Sequence, residues 1–186
     1  PLTELFFKTA FEQGQVLDAF FTVNTSKQFN VSIAYKGLRS LGKYQHILTS
    51  TGNFRVTSNY KTKNDRYHAR AHMVTQDLLN QENGGIKDSD IDNFESGNPD
   101  FLDRSVFDPN FENAESVLKG KRFYLDHEYT LIKQADSLQN NTLKIGNILN
   151  FEDKFFQFTQ SAKNTFFFGE AFNNIINDKV NLEHFN

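Results

Sequence analysis

The feature that most constrains the fold is an alternation of apolar and polar residues with a period of two. It runs through five windows of the sequence: 3–12, 15–24, 29–36, 53–61 and 67–73. In the third window the apolar positions are Phe29, Val31, Ile33 and Tyr35. Successive side chains of a β-strand point to opposite faces of a sheet, whereas the spacing typical of a helix fits none of these windows. Each window is therefore a predicted strand with one apolar and one polar face.

Less regular alternation extends this prediction into the second half of the chain. Further strands are predicted at 121–132, 142–151, 153–162 and 165–173, and another begins at 179–185. Short polar turns join neighbouring strands in the first half, which favours antiparallel pairing. The predicted fold is all-β, an antiparallel up-and-down meander of about nine long strands.

The composition agrees with a two-faced sheet and excludes several classes of protein. Mean hydropathy is -0.59 although the chain contains 21 Phe, because the apolar residues occupy alternate positions. No run of about 18 apolar residues is present to form a transmembrane helix. The absence of Cys excludes disulfides, iron–sulfur clusters and thiolate zinc sites.

The predicted strands are long, and their connections alternate between short and long, as in a transmembrane β-barrel. Ten residues tilted by about 40° span roughly 25 Å, the height of the apolar band of an outer-membrane barrel. The longest connection is an acidic loop at about 77–120. We therefore expect residues 1–186 to be a segment of one transmembrane β-barrel domain.

Three predicted strands place a Phe and a Tyr six residues apart on the apolar face. These pairs are Phe29/Tyr35, Phe54/Tyr60 and Phe123/Tyr129. They could belong to the aromatic girdles of a membrane barrel. Aromatic side chains that fill the core of a soluble sandwich or barrel are an equally open interpretation.

Charge is distributed unevenly along the chain. Residues 27–76 carry nine Lys or Arg against one acid, whereas residues 77–120 carry eleven acids against three bases. In a barrel, the polar face of the strands lines the lumen, and its basic side chains are candidate pore-lining residues: Lys8, Lys36, Arg55, Lys61, His68, Arg70 and His72. One hypothesis is a mild local preference for anionic solutes. The alternative is a solvated polar face without selectivity.

No catalytic residue and no cofactor are predicted. The sequence lacks a G-x-S-x-G motif, and its only Gly-Gly pair lacks the Lys-Ser/Thr of a phosphate-binding loop. Binding of nucleic acid is not expected either, because the aromatic rings and the basic side chains lie on opposite faces of the predicted strands.

The metal-binding candidates are weak. Asp88, Asp90 and Asp92 resemble the start of an EF-hand loop, but the later positions of that motif do not match. A looser calcium site remains an expectation of low weight. His68 and His72 would lie about 13 Å apart on a strand, too far apart for one metal ion.

Several stretches of the sequence resemble a known protein family. In chain order they are PLTELFFKTAFEQGQVLDAFFTVNTS, SIAYKGLRSLGKYQHILTSTGNFR, QDLLNQENGG, GKRFYLDHEY and FFFGEAF. Together they make the chain similar to the putative porin family of Bacteroidetes outer membranes. The resemblance spans nearly the whole chain. It implies an internal part of an outer-membrane β-barrel and places no catalytic residue.

The expected function is passive diffusion of small hydrophilic solutes across the outer membrane, with membrane lipid and these solutes as partners. No enzymatic activity is expected. The alternative is a soluble, lipocalin-like β-barrel that binds a small apolar ligand. The two interpretations turn the apolar face in opposite directions, outward to lipid or inward to a ligand.

Overall fold

A computed structural model describes residues 1–10, 14–132, 142–169 and 174–186 of the chain. These residues form one antiparallel sheet of eight strands, in which every strand pairs with the next along the chain. The strands are β1 (Leu2–Ala10), β2 (Gly14–Asn24), β3 (Phe29–Ser40), β4 (Thr49–Lys61), β5 (Tyr67–Glu82), β6 (Ala114–Ile132), β7 (Leu143–Gln160) and β8 (Ile176–Phe185). Two short helices are α1 (Ile91–Glu95) and α2 (Thr165–Phe168). The predicted all-β antiparallel meander is confirmed.

The connections divide the sheet into two ends. At the turn end, residues 25–28 join β2 to β3 and residues 62–66 join β4 to β5. At the loop end, residues 41–48 and 83–113 make the next two connections. Short and long connections therefore alternate as predicted. Of the described helices, none is both long enough and apolar enough to cross a bilayer.

The number of strands is eight rather than about nine. The strands predicted at 142–151 and 153–162 are one continuous strand, β7. The strand predicted at 165–173 is wrong at its start, where α2 lies, and residues 170–173 are outside the described residues. Asn164 caps α2, because its side-chain oxygen accepts hydrogen bonds from the backbone N–H groups of Phe166 and Phe167 at 3.0 and 3.3 Å.

Strands β5, β6 and β7 contain 16, 19 and 18 residues, more than the sequence predicted. The acidic loop predicted at about 77–120 is therefore shorter and spans residues 83–113. Nineteen residues tilted by about 40° rise roughly 48 Å, about twice the height of an apolar band. The loop-end halves of these strands consequently extend well beyond such a band.

The long loop, residues 83–113, is a folded element with a small aromatic core. The ring of Phe107 lies 5.7 Å from that of Phe94 and 5.8 Å from that of Phe101, measured between centroids. The Arg104 guanidinium lies 4.1 Å from the centre of the Phe94 ring. Phe107 is only 3% exposed. The loop is thus held by packing and by a cation–π contact rather than fully solvated.

Hydrogen bonds join this loop to its neighbours at the loop end. Asn83 donates from Nδ2 to the Gln45 carbonyl at 2.9 Å, and Gln45 donates from Nε2 to the Ser105 carbonyl at 2.8 Å. Asn164 donates from Nδ2 to the Asn110 carbonyl at 2.7 Å. Three connections therefore form one assembly at this end of the sheet.

Candidate functional site

The pairing register assigns every strand side chain to one of two faces. Directly paired residues of an antiparallel sheet project from the same face. A run of direct pairs joins Ile33, Val56, Met73 and Phe123 across four strands. We call their side the apolar face. It carries the odd-numbered strand residues, or the even-numbered ones in β4. The polar face carries the others.

The apolar face exposes large side chains over most of the sheet. They include Leu5, Phe7, Phe21, Ile33, Tyr35, Met73, Phe123, Ile145 and Phe151. Leu5 is 72% exposed and Ile145 is 61% exposed. Soluble monomers rarely expose so large a continuous apolar surface, whereas the lipid-facing side of a membrane barrel does.

An aromatic row crosses the apolar face near the turn end. Phe29 and Tyr60 have ring centroids 6.4 Å apart, and Tyr60 and Tyr67 have theirs 6.3 Å apart. Tyr67 in turn lies 5.9 Å from the His127 ring. Because β3 and β4 are antiparallel, the six-residue Phe/Tyr spacing predicted for each strand brings a Phe of one opposite a Tyr of the other. This arrangement resembles part of an interfacial girdle.

The basic residues singled out from the sequence all project from the polar face. They are Lys8, Lys36, Arg55, Lys61, His68, Arg70 and His72. Those of β4 and β5 are neighbours, and Lys61 pairs directly with His68. The Asp18 carboxylate lies 3.3 Å from Lys36 Nζ. Lys8 lies two strands away from Lys36 and does not join the group.

Acidic side chains of β6 lie beside these basic residues, and sequence reasoning did not place them there. Arg70 pairs with Asp126, and His68 pairs with Glu128. Glu128 also accepts a hydrogen bond from Lys144 Nζ at 2.9 Å. The alternation of β6 puts both acids on the polar face, but their place opposite β5 depends on the register across the long loop. The turn-end half of the polar face is therefore of mixed charge.

A further basic residue, Arg122, lies in the middle of the polar face. Val74 pairs with Arg55 on one side and with Arg122 on the other. The His72 ring stacks on Tyr124 with centroids 5.0 Å apart, and the Arg122 guanidinium lies 5.7 Å from the same ring. Sequence reasoning missed Arg122 because it begins the predicted strand 121–132, where the register was not known.

The two faces exchange part of their character in the loop-end halves of β5–β8, although Leu79, Val117 and Phe155 stay on the apolar face. On the apolar face, Asp77 pairs with Lys119, and Lys121 Nζ lies 3.0 Å from the Asp153 carboxylate. On the polar face, direct pairs connect a row of apolar residues across four strands: Leu78, Leu118, Phe156 and Val180. We call these four residues the apolar row.

The folded loop covers the loop end of the polar face. Ala114 and Gln160 are 0% exposed and Ser116 is 7% exposed, and all three project from this face. Gln160 donates from Nε2 to Asn113 Oδ1 at 3.1 Å, and Asn113 donates from Nδ2 to the Ala162 carbonyl at 2.9 Å. The apolar row lies next to this covered end, only one paired row below Ser116.

A groove of about 340 Å³ lies on the polar face between the apolar row and the central basic residues. Its lining includes His72, Val74, Leu118, Gly120, Arg122 and Lys154. Gly120 lies at the bottom of the groove and has no side chain to fill it. A Cβ added there would lie 3.3 Å from Lys154 Cβ, which is a close contact. The groove therefore has an apolar end and a basic end.

The described part of the chain contains no group of three or more His, Cys, Asp or Glu side chains placed to hold a metal ion. Asp88 and Asp90 lie in a 3₁₀ turn and Asp92 lies in α1, and a loose calcium site at these residues stays a prediction. His68 and His72 project from β5 in different paired rows.

A comparison with protein families now adds to this geometry. A family model described as putative porin matches residues 1–186, the whole chain. No curated protein and no solved structure is found to match it. The family match confirms the resemblance found in the sequence, and it agrees with long antiparallel strands that expose one apolar face. The chain therefore belongs to this porin family.

Proposed function

We propose that the chain forms part of an outer-membrane β-barrel through which small hydrophilic solutes diffuse passively. Family membership supports a porin-like outer-membrane β-barrel protein, a channel rather than an enzyme. The finer proposal is that the polar face lines a water-filled pore and the apolar face contacts lipid. An origin in Bacteroidetes stays a prediction.

The observation that carries this proposal is the separation of the two faces over the turn-end halves of the strands. On the apolar side, Phe123 and Phe151 pair directly and both are exposed. On the other side of the same strands lie charged residues such as Arg70 and Asp126. A sheet with these two faces is stable where lipid meets one and water meets the other. The alternative, a soluble, lipocalin-like carrier, belongs to a different class of protein from the porin family that the chain matches.

The two edge strands add a requirement. Backbone N–H and C=O groups of an open edge cannot be satisfied in hydrocarbon, so spanning sheets are closed. Strands β1 and β8 are the edges of the eight-stranded sheet. In the membrane we expect each to pair with a further strand or with the other, which closes the wall around the polar face.

The test is reconstitution of the full-length protein into a planar lipid bilayer. Discrete, long-lived conductance steps that scale with the salt concentration are expected for a water-filled pore. Extraction provides the second readout, because a protein with this apolar face requires detergent. A full-length protein that stays monomeric and soluble without detergent and gives no conductance would end the proposal.

A further inference from the structure

The exchange of polarity between the faces has a consequence for the proposed pore. A pore that only passes small hydrophilic solutes needs no apolar wall, since water wets polar surfaces better. Yet Phe156 is 47% exposed and Val180 is 68% exposed on the polar face of the loop-end half. This apolar surface lies on the side that the loop covers, not on the side that carries the lipid-facing band.

Charged residues of the groove adjoin this apolar surface. Lys154 lies two residues from Phe156 on β7, and both project from the polar face. Arg122 lies four residues from Leu118 on β6, a distance of about 13 Å along the strand. A single solute molecule can therefore contact the apolar row with one end and a cationic side chain with the other.

The balance of charge in the groove favours an anion. The cationic side chains of Arg122 and Lys154 line it together with one acid, Glu152. The Glu152 carboxylate accepts a hydrogen bond from Lys154 Nζ at 3.0 Å, so Lys154 is partly neutralised. Arg122 retains its guanidinium charge at all working pH values. Arg55 reinforces it, because Arg55 lies in the same paired row beyond Val74.

We propose that this groove is a binding site for amphipathic organic anions, that is, solutes with an aromatic or aliphatic body and one carboxylate, sulfonate or phosphate. The apolar body lies on Leu118, whose paired neighbour Phe156 adjoins the groove, and the anionic group is held by Arg122 and Lys154. The inference rests on the proposed function, because the polar face must line the pore for solutes to reach it. The volume of about 340 Å³ lies within the range of small-molecule sites.

Current block through single channels of the full-length protein tests the proposal, with 4-phenylbutyrate as the probe in neutral phosphatidylcholine bilayers. Butyrate carries the charge without the ring, 4-phenylbutanol the ring without the charge, and 4-phenylbutylammonium the opposite charge. Phenylbutyrate is expected to reduce the current at a concentration about tenfold lower than butyrate, because burial of a phenyl ring contributes at least this factor. A similar factor is expected over phenylbutanol and phenylbutylammonium, because they lack the anionic group that would accept a charge-assisted hydrogen bond from Arg122.

Matched variants assign the effect to the groove. Leu118→Ser removes the advantage of phenylbutyrate over butyrate, whereas Val117→Ser, one residue away on the opposite face, preserves it. Arg122→Gln removes the advantage over phenylbutanol, and Arg122→Lys restores most of it. Equal blocking concentrations for all four probes, or equal losses in Leu118→Ser and Val117→Ser, overturn the inference.

Failure of the proposed function gives a different result. A protein that forms no channel shows no current with any probe. Equilibrium dialysis of proteoliposomes against phenylbutyrate and butyrate then decides the inference on its own, by the same expected tenfold preference and the same Leu118→Ser and Val117→Ser variants. Lack of preference in dialysis overturns the inference whether or not the protein conducts.

Discussion

The turn-end and loop-end halves of strands β5–β8 distribute polarity differently: the faces are separated in the turn-end half and mixed in the loop-end half. In the turn-end half, Leu125 and Leu149 pair on the apolar face while Asp126 projects from the polar face. In the loop-end half, Lys119 projects from the apolar face while Leu118 projects from the polar face. The backbone pairing of β5 with β6 is continuous through both halves.

The polarity of a face is therefore a property of a segment of a strand and not of the whole strand. Each half follows its own surroundings, which are lipid and pore water in the turn-end half under the proposed function. In the loop-end half the folded loop covers the polar face, where Gln160 is 0% exposed. Beyond this cover, Leu118, Phe156 and Val180 stay exposed on the polar face, and charge pairs such as Lys121–Asp153 lie on the apolar face.

The largest expected effect is on the loop that covers the loop-end half. Phe107→Ala removes the ring at the centre of the loop core and should lower the local free energy of unfolding of residues 83–113 by about 3–5 kcal/mol. Amide hydrogen exchange of the loop should accelerate, while turn-end amides of β5 and β6 keep their protection. Leu102→Ala is the control, because Leu102 lies in the same loop but is 67% exposed. Loss of protection at the turn end as well would contradict the independence of the two halves.

Charge inserted on the apolar face distinguishes the two halves directly. Phe123→Arg places a guanidinium in the lipid-facing band and should lower the free energy of unfolding into urea by about 2–4 kcal/mol in lipid vesicles. Val117→Arg, six residues away on the same face of the same strand, should cost less than about 1 kcal/mol because it lies outside the band. Equal losses in the two variants would mean that the band continues to the loop end.

The strands of the first half were predictable because their alternation keeps one phase. Phe29, Val31, Ile33 and Tyr35 all belong to the apolar face of β3, and local side-chain direction alone assigns them. Pairing of each strand with its neighbour in sequence followed from the short turns. The prediction of these strands required no long-range information.

The second half was harder to predict because its alternation changes phase within strands. In β7, Leu143, Ile145, Leu149 and Phe151 project from the apolar face, whereas Phe156 and Phe158 project from the other face. That change was interpreted as a break between two strands, and the loop-end halves of β5 and β6 were assigned to the loop. A change of phase marks a change of surroundings here, and the backbone continues through it.

The candidate site was predictable only in part for a related reason. The polar-face position of Arg70 follows from the alternation of β5, but its acidic neighbour Asp126 is 56 residues away in sequence. Only the register across the long loop brings the two together. The groove depends on the same register, because Val74 and Arg122 of its lining pair across β5 and β6.

Charge reversal on the polar face tests the selectivity of the proposed pore. The double variant Arg55→Glu and Arg70→Glu should shift the reversal potential toward cations, with a change in permeability ratio of about fivefold, since unit charges 4 Å apart in water interact by about 1 kcal/mol. The control is Lys119→Glu, a reversal on the opposite face, which should leave selectivity unchanged. An unchanged reversal potential in the double variant would contradict the hypothesis of a local anion preference. The alternative, a solvated polar face without selectivity, would then be supported.

The smallest expected effect concerns a cap within the folded loop. Asp103 accepts hydrogen bonds from Ser105 N at 3.0 Å and from Ser105 Oγ at 2.8 Å, and these bonds hold the pKa of Asp103 below its usual value. A lowered pKa means that the cap stabilises the 3₁₀ turn Arg104–Val106 above about pH 4, the pKa of a free Asp, and that this contribution is lost as the pH falls further. Exchange rates of the loop amides should therefore decrease less on going to pH 3 than the intrinsic rates do, so that the protection of these amides falls.

Asp103→Asn separates the charge of this cap from its geometry. The amide oxygen can still accept from the backbone N–H of Ser105, so the turn should form, but its protection relative to the intrinsic rates should vary less between pH 3 and pH 6 than with Asp103 in place. Turn-end amides in β5 and β6 should be indifferent to the substitution at every pH. If they respond as strongly as the loop does, the two halves unfold together. They are then one energetic unit even though the polarity of their faces differs.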